Sequence, residues 1–347
     1  MVDYDLLVPY GWTEAVALHY LPLVPEGCVP ARVIRMDRSE CDVAGPGGLG
    51  RASCPRPDSA TSGLCTGDWV ALDATGAVRQ LLPRRTAIVR STVSGRSEGQ
   101  VLAANVDTVL LCSAADGDVD LGRIERLLAL TWESGAQPVV VLTKADAATW
   151  LPLDEVRAAA PGAAVVAVSA TDGAGMDVLA ALLQGTVALL GPSGAGKSTL
   201  ANALLGAEVF ATGAVRSADG KGRHTTVHRE LRPLPGGGTL IDTPGLRGIG
   251  LWDAAEGIGR AFADIESLSE DCRFADCAHD TEPGCAVQAA IADGALTPRR
   301  LTSYRKLARE NEWMAARTDK RLAAERQRVW KEISRTQRRN YRERGHR

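Results

Sequence analysis

Gly191-Pro192-Ser193-Gly194-Ala195-Gly196-Lys197-Ser198 matches the pattern G-x-x-x-x-G-K-[ST], and its surroundings decide the fold. The apolar run 187–190 before it reads as a buried strand, and residues 200–205 after it lie on a helix that the loop opens. Glycines here let successive backbone N–H groups turn inward on phosphates, and the helix N-terminus adds partial positive charge. The cradle so formed comprises Gly191, Ser193, Gly194, Ala195, Gly196, Lys197, Ser198 and Thr199. Lys197 reaches the β- and γ-phosphates of a nucleotide and serves catalysis there, and Ser198 ligates Mg²⁺.

Outward from this loop the chain alternates. Runs 106–112 and 138–142 are apolar and β-branched, as strands buried on both faces must be, and 121–132 between them has helical spacing. Residues 163–168 and 176–183 continue the alternation, which predicts a doubly wound α/β domain over 101–268. Residues 1–100 read as β: short runs at 31–36, 69–72 and 77–81 are separated by turn dipeptides such as Gly67-Asp68 and Thr75-Gly76. A small antiparallel barrel of the OB type fits them, an architecture that binds oligonucleotides. The Gly-, Pro- and Ser-rich stretch 44–67 reads as a long loop. Residues 269–347 hold a Cys/His cluster and then a helix started by Thr297-Pro298. The fold class is therefore multidomain: an N-terminal β-barrel, a central α/β P-loop domain, and a C-terminal metal-binding and helical domain.

The P-loop does not choose the base. A transporter-type ATPase uses the same string, but it also needs L-S-G-G-Q and an apolar strand ending in Asp-Glu, and the chain has neither. It has Thr143-Lys144-Ala145-Asp146 after the strand at 138–142. Asp146 can accept from guanine N1–H and the exocyclic amine, a pair of donors that adenine lacks. The Lys144 stem lies against the base, and Ser169-Ala170 at the next strand end offers the Ala170 N–H to guanine O6. Thr143 stands where such motifs usually carry Asn.

Asp242-Thr243-Pro244-Gly245 follows the apolar step 239–241. An Asp at such a strand end holds Mg²⁺, and the Gly245 N–H meets the γ-phosphate. Between the two phosphate motifs lies Gly220-Lys221-Gly222-Arg223-His224-Thr225-Thr226. Thr226 is the candidate for sensing Mg²⁺ and γ-phosphate, with Thr225 as alternate. Leu246 stands where Ras-type enzymes carry the water-orienting Gln, so another group must place the water, and His224 is the nearest candidate. The order is permuted, because the base-reading residues precede the phosphate loop instead of following it.

Cys272-x4-Cys277-x-His279-x5-Cys285 supplies four N/S ligands, the set of a closed, structural Zn²⁺ site. The net charge of −2 is unevenly spread: from Arg299 to Arg347 there are 17 Lys or Arg against 6 Asp or Glu. A basic tail on an acidic body suits a polyanionic partner or a solvated helix. The opening residues carry Asp3 and Asp5 without Lys or Arg, and no apolar run approaches a membrane span, so the expected location is the cytoplasm, away from membranes.

The permuted order, the G-R-H-T-T and D-T-P-G-L strings and the C-x4-C-x-H-x5-C cluster together resemble the ribosome small-subunit-dependent GTPase A family. The resemblance covers nearly the whole chain. It implies an OB-fold over 1–100, a circularly permuted GTPase over 101–268 and a zinc domain with a basic helical arm over 269–347. It further implies GTP hydrolysis, with GDP as product, stimulated by the small ribosomal subunit and its rRNA during late maturation of that subunit. His224 matches the family's switch histidine, which is implicated in hydrolysis. The chain is expected to act as a monomer. A second reading is a nucleotide-gated RNA-binding scaffold with negligible turnover.

Overall fold

The computed structural model describes residues 4–37, 39–54, 63–90, 100–210, 229–242 and 254–318. His224, Thr225, Thr226 and Gly245 lie outside them, as does the tail beyond Thr318.

The chain begins with helical turns, which the reading of residues 1–100 as β did not foresee. Two 3₁₀ segments, Asp5–Tyr10 and Leu21–Glu26, flank α1 (Glu14–Tyr20), whose N-terminus is capped by the Thr13 hydroxyl. Pro9, Pro22 and Pro25 keep these turns short. Their aromatic side chains explain why they are there. Trp12 stacks on Tyr4 and meets Tyr20 and Trp69 edge-on, tying the segment to the first β-sheet.

Five antiparallel strands follow: β1 (Val29–Met36), β2 (Glu40–Gly45), β3 (Gly48–Ser53), β4 (Trp69–Leu72) and β5 (Val78–Leu81). β1 pairs with both β2 and β4, β2 with β3, and β4 with β5. A parallel bridge between Ser53 and Ala77 joins β3 to the start of β5 and closes the cycle into a small barrel. Ala31, Val33, Cys41, Val43, Ala52, Val70 and Val78 fill its interior. The β2–β3 hairpin occupies much of the stretch expected to be a long loop. Its turn is Gly45-Pro46-Gly47-Gly48, and β3 (Gly-Leu-Gly-Arg-Ala-Ser) buries only Ala52, so its sequence carries almost no alternating signal.

A separate hairpin, β6 (Ala87–Arg90) with β7 (Gln100–Ala104), leads into the second sheet. This sheet is built from β8 (Thr108–Ala114), β9 (Gln137–Thr143), β10 (Ala164–Ala167), β11 (Thr186–Leu190), β12 (Glu230–Pro233) and β13 (Thr239–Asp242), in the order β10-β9-β8-β11-β13-β12. All run parallel except β12. Alternate residues of β8, β9 and β11 enter two different apolar cores, one on each face, which is why these strands read as unbroken apolar runs. Leu179 of α4 (Met176–Leu182) and Leu200 of α5 (Lys197–Leu205) cover one face. The other is covered by α2 (Leu121–Glu133), α3 (Leu153–Ala159) and the C-terminal helices.

The barrel continues this sheet through β1, where Arg35 pairs with Glu230 of β12. Arg32, 1% exposed, crosses the junction. Its guanidinium donates to the Tyr10 carbonyl at 2.5 Å and to the Thr186 hydroxyl at 2.9 Å, and it lies 5.2 Å from the Trp69 ring centroid. Burial lowers its pKa to about 10, with Asp107 acting against the shift.

At the C-terminal end, α6 (Ala255–Ala261) and α7 (Ala263–Glu270) precede the Cys/His loop, and α8 (Ala286–Ala292) and α9 (Pro298–Thr318) follow it. A Cβ on Gly257 would sit 2.0 Å from the Ala129 carbonyl oxygen, so only glycine lets α6 lie this close to α2. Glu125 of α2 is fully buried and accepts from Arg299 at 2.8 and 3.0 Å and from Arg300 at 2.8 Å. Arg300 also donates twice to Asp264 at 2.7 Å. Two of the tail's charges are thus committed to holding the module on the α/β domain. Glu125→Ala is expected to cost about 3–5 kcal/mol, because it strands a buried guanidinium short of one counter-charge. Urea unfolding of the variant against the parent checks this, and a loss under about 1 kcal/mol would assign the compensation to Asp264 alone.

Candidate active site and metal centre

Parallel strands deliver their C-terminal ends to one edge, where α/β proteins bind ligands. That edge carries Thr143 at the end of β9, Ser169 and Ala170 beyond β10, Gly191 after β11 and Asp242 at the end of β13. The structure therefore gathers the candidate base-reading residues, the phosphate loop and Asp242, the first residue of the second motif, although they are spread over a hundred residues of sequence.

Gly191 has φ +153°, and a Cβ there would lie 2.3 Å from the Cys112 carbonyl oxygen, so the loop can leave β11 only through glycine. Gly194 and Gly196 are left-handed at φ +84° and +71°, and Gly196 caps α5, which starts at Lys197. The Lys197 ammonium donates to the Gly191 and Pro192 carbonyls at 2.9 and 2.6 Å, which holds it over the loop with a third proton to give. Burial lowers the Lys197 pKa, against Cys112 and Asp242. Burial also raises the Asp242 carboxyl, against the pull of Lys197. Among the described residues each charge is thus only partly compensated, and a phosphate beside Lys197 with a cation beside Asp242 would complement both. Ser198 is half-buried on the first turn of α5.

A cavity of about 240 Å³ adjoins the phosphate loop, lined by Thr143, Lys144, Asp146, Ala170, Gly196 and Thr199 among others. Lys144 takes a left-handed conformation at φ +58° and opens the turn that carries Asp146 to the rim, where its carboxylate is exposed. Ser169 is fully buried, and its hydroxyl accepts from the N–H groups of Thr171 and Asp172, shaping the loop that presents Ala170. Thr143 fills the place of the usual Asn with its hydroxyl, which donates to the Ala195 carbonyl of the phosphate loop at 2.9 Å. One bond so ties the end of β9 to the P-loop.

Sequence reasoning missed Asp116. Its carboxylate pairs with the Lys144 ammonium at 2.7 Å and anchors the far end of the stem. The only signal was Asp116-Gly117-Asp118, an acidic turn just beyond a buried strand.

In the Cys/His cluster, all four candidate ligand atoms lie within 4.8 Å of one another. Cys272 Sγ and Cys285 Sγ are 3.8 Å apart, and each is 3.6 Å from His279 Nδ1. Zinc–sulfur and zinc–nitrogen bond lengths in a tetrahedron require edges of roughly 3.8 Å and 3.5 Å, so this chain's residues fit the ion. The Ser269 hydroxyl donates to the Ile265 carbonyl and so must accept from His279 Nε2 at 3.1 Å, which leaves Nδ1 bare as a ligand. For Cys272, burial acts upward but hydrogen bonds from the Ala286 and Val287 N–H groups and from the Cys285 and Cys277 thiols together outweigh it, and the thiol's pKa is lowered. Glu282 organises the loop by accepting from the N–H groups of Ala278, Asp280 and Thr281. Ser269 escaped the sequence reading because a serine one turn before a ligand carries no pattern of its own.

Were the sheet's strands joined in another order, the same edge would be the site of an ordinary P-loop nucleotide hydrolase, and the chain is a circularly permuted member of that class. The sequence model of the RsgA GTPase family matches residues 81–252. The chain is 57% identical over 336 residues to the small ribosomal subunit biogenesis GTPase RsgA of Streptomyces avermitilis, covering 94% of this chain and 91% of that protein. It is 55% identical over 335 residues to the protein of the same name from Streptomyces coelicolor, covering 93% and 91%. The chain belongs to the RsgA GTPase family. Among solved structures it is similar to YjeQ from Thermotoga maritima (TM-score 0.57, 23% identity, 81% of this chain and 97% of that one). It is also similar to YloQ, a circularly permuted GTPase (TM-score 0.56, 22% identity, 84% and 96%). At these identities the two structures speak to the fold alone.

Proposed function

We propose that this GTPase acts late in maturation of the small ribosomal subunit, in the cytoplasm, and that contact with the subunit stimulates its turnover. The observation that carries the reading is the junction of the guanine-type cavity with the phosphate loop through Thr143 and Ala195. It is supported by the relatives named as small ribosomal subunit biogenesis GTPases, which are more than half identical over nearly their whole length.

Asp146 would accept from guanine N1–H and the exocyclic amine, the Ala170 N–H would give to O6, and the Lys144 stem would cover the base. Ser198, Asp242 and Thr226 would hold Mg²⁺, which when bound neutralises charge on the β- and γ-phosphate oxygens. Lys197 would hold the transferring phosphoryl group from the loop side and the Gly245 N–H from the other. The attacking water falls to His224. Phosphoryl transfer depends on positioning and charge, so His224→Ala is expected to lower turnover and spare GTP affinity. Single-turnover hydrolysis and equilibrium titration separate the two. An equal loss in both would make His224 a support of its loop instead.

The barrel is read as an OB-fold with an rRNA-facing surface, and the cluster at 272–285 as a structural Zn²⁺ site. Beyond Thr318 the sequence still holds 11 Lys or Arg against 4 Asp or Glu, a second site for rRNA phosphates. The test is co-sedimentation with purified small subunits across a salt series, using GDP, a non-hydrolysable GTP analogue and a chain ending at Arg317. Pelleting should favour the analogue and weaken steeply with salt, with a shallower slope for the shortened chain. Equal pelleting in both nucleotides, or none at low salt, would leave a GTPase without this partner.

A further inference from the structure

Helix α9 divides its charges between two faces. Arg299 and Arg300 pair with Glu125 at 2.8 Å, and Arg305 lies 3.7 Å from Asp280 and donates to the Ala278 carbonyl at 2.9 Å. On the same side Leu301 and Leu307 are buried, and the Asn311 side chain accepts from the Ala254 N–H at 2.8 Å. Lys306 and Arg309 are exposed, and among the described residues neither forms an ion pair. The Arg309 Nε donates to the Arg305 carbonyl at 3.2 Å, which steadies the side chain along the helix.

Residues 302, 306, 309 and 313 are spaced i, i+4, i+7 and i+11, so they fall on one narrow stripe of the helix. All four, Thr302, Lys306, Arg309 and Trp313, are exposed. Trp313 is 53% exposed, and no other large apolar side chain of α9 is exposed among the described residues. Nearby negative charge is limited: Glu310 is engaged by Arg126 through both oxygens at 2.5 Å, while Glu312 borders the stripe. From Lys306 to Trp313 is about 10 Å along the axis, the length of roughly three nucleotides.

An exposed indole beside cations without carboxylate partners has the makings of a single-strand site, where the ring stacks on a base and the cations take phosphates. A paired base is already stacked between its neighbours and offers the ring no face. A membrane surface suits the stripe less well, because interfacial helices bury a broad apolar face in lipid, and the apolar face of α9 packs against α2 and α6. Beyond Thr318 the sequence continues with Trp330 and Tyr341 among 11 Lys or Arg.

We propose that this stripe binds unpaired RNA, with Trp313 stacked on a base and Lys306 and Arg309 holding the phosphates beside it. It rests on the reading of rRNA as the partner and adds selectivity to it: the charge beyond Thr318 attracts any phosphate chain, whereas Trp313 selects unpaired bases.

The test follows a labelled oligouridylate and a labelled RNA duplex by anisotropy with the full-length, zinc-loaded protein across a salt series. Uridine leaves the guanine cavity out of the readout. Trp313→Ala is expected to weaken oligouridylate binding about 5- to 150-fold with the salt slope unchanged, because a stacked base is lost and no charge. Trp313→Phe should keep most of the affinity. Lys306→Gln and Arg309→Gln should each flatten the slope by about 0.7. Duplex binding should not respond to Trp313→Ala. The parent gives a second readout that needs no variant: 5-bromouridine in the strand should photo-cross-link to the peptide holding Trp313. Unchanged oligouridylate affinity in Trp313→Ala, an equal loss on the duplex, no rescue by Phe, or cross-links confined to other peptides overturns the proposal. Loss of anionic-vesicle binding in Trp313→Ala with RNA affinity unchanged would give the stripe to a membrane surface instead. The probe is RNA alone, so a failure of subunit-stimulated turnover would not move this result, and a null result here would leave the turnover test untouched.

Discussion

Replacing Asp146 by Asn is expected to weaken GTP binding by about 10²- to 10⁴-fold while bringing xanthosine triphosphate close to the affinity GTP has for the parent. Hydrogen bonds to a charged group contribute about 1.5–3 kcal/mol each, and in the proposed reading Asp146 accepts two from guanine. Asn turns an NH₂ donor toward a donor on the base, whereas xanthine presents a carbonyl at that position. The side chain stands exposed at the cavity rim, so the substitution leaves no buried group unpaired and the fold should not suffer. Titration of GTP, ATP and xanthosine triphosphate against both proteins reads the effect. Unchanged GTP affinity in the variant would move base recognition away from this residue.

Loss of a zinc ligand should have the largest effect on folding. Cys285 is both a candidate ligand and the cap of α8, where its sulfur accepts from the Gln288 N–H at 3.4 Å. The loop from 272 to 285 has few apolar contacts of its own, so the metal should supply most of its order. Structural Zn²⁺ contributes on the order of 10 kcal/mol or more in small domains. Cys285→Ala is expected to emerge without zinc and with this module unfolded, while the α/β domain still binds nucleotide. Elemental analysis should give one zinc per parent chain and none in the variant. Full occupancy in the variant would remove Cys285 from the ligand set.

What could be read from sequence, and what could not, follows from where the signal resides. The α/β core was legible because its strands are buried on both faces, so 138–142 and 187–190 are unbroken apolar runs whose ends flank the motifs. The P-loop and the Cys/His cluster were legible because their chemistry fixes residue type and spacing together. The β2–β3 hairpin was not, since Gly48 to Ser53 buries one alanine and otherwise resembles a loop. Nor were the helical turns before Glu26, whose order comes from aromatic contacts with Trp69, more than forty residues away. Thr143 departed from the expected Asn, yet its short side chain reaches the Ala195 carbonyl, a relation between strand and loop that no local pattern encodes.

The central claim is that the small ribosomal subunit activates GTP hydrolysis by this chain, and turnover measured with and without purified small subunits tests it most directly. The expected result is slow hydrolysis by the isolated protein, a marked rise with small subunits, no comparable rise with large subunits, and loss of the rise in His224→Ala. Hydrolysis that stays at its intrinsic rate with saturating small subunits would contradict the claim and favour a nucleotide-gated scaffold with negligible turnover.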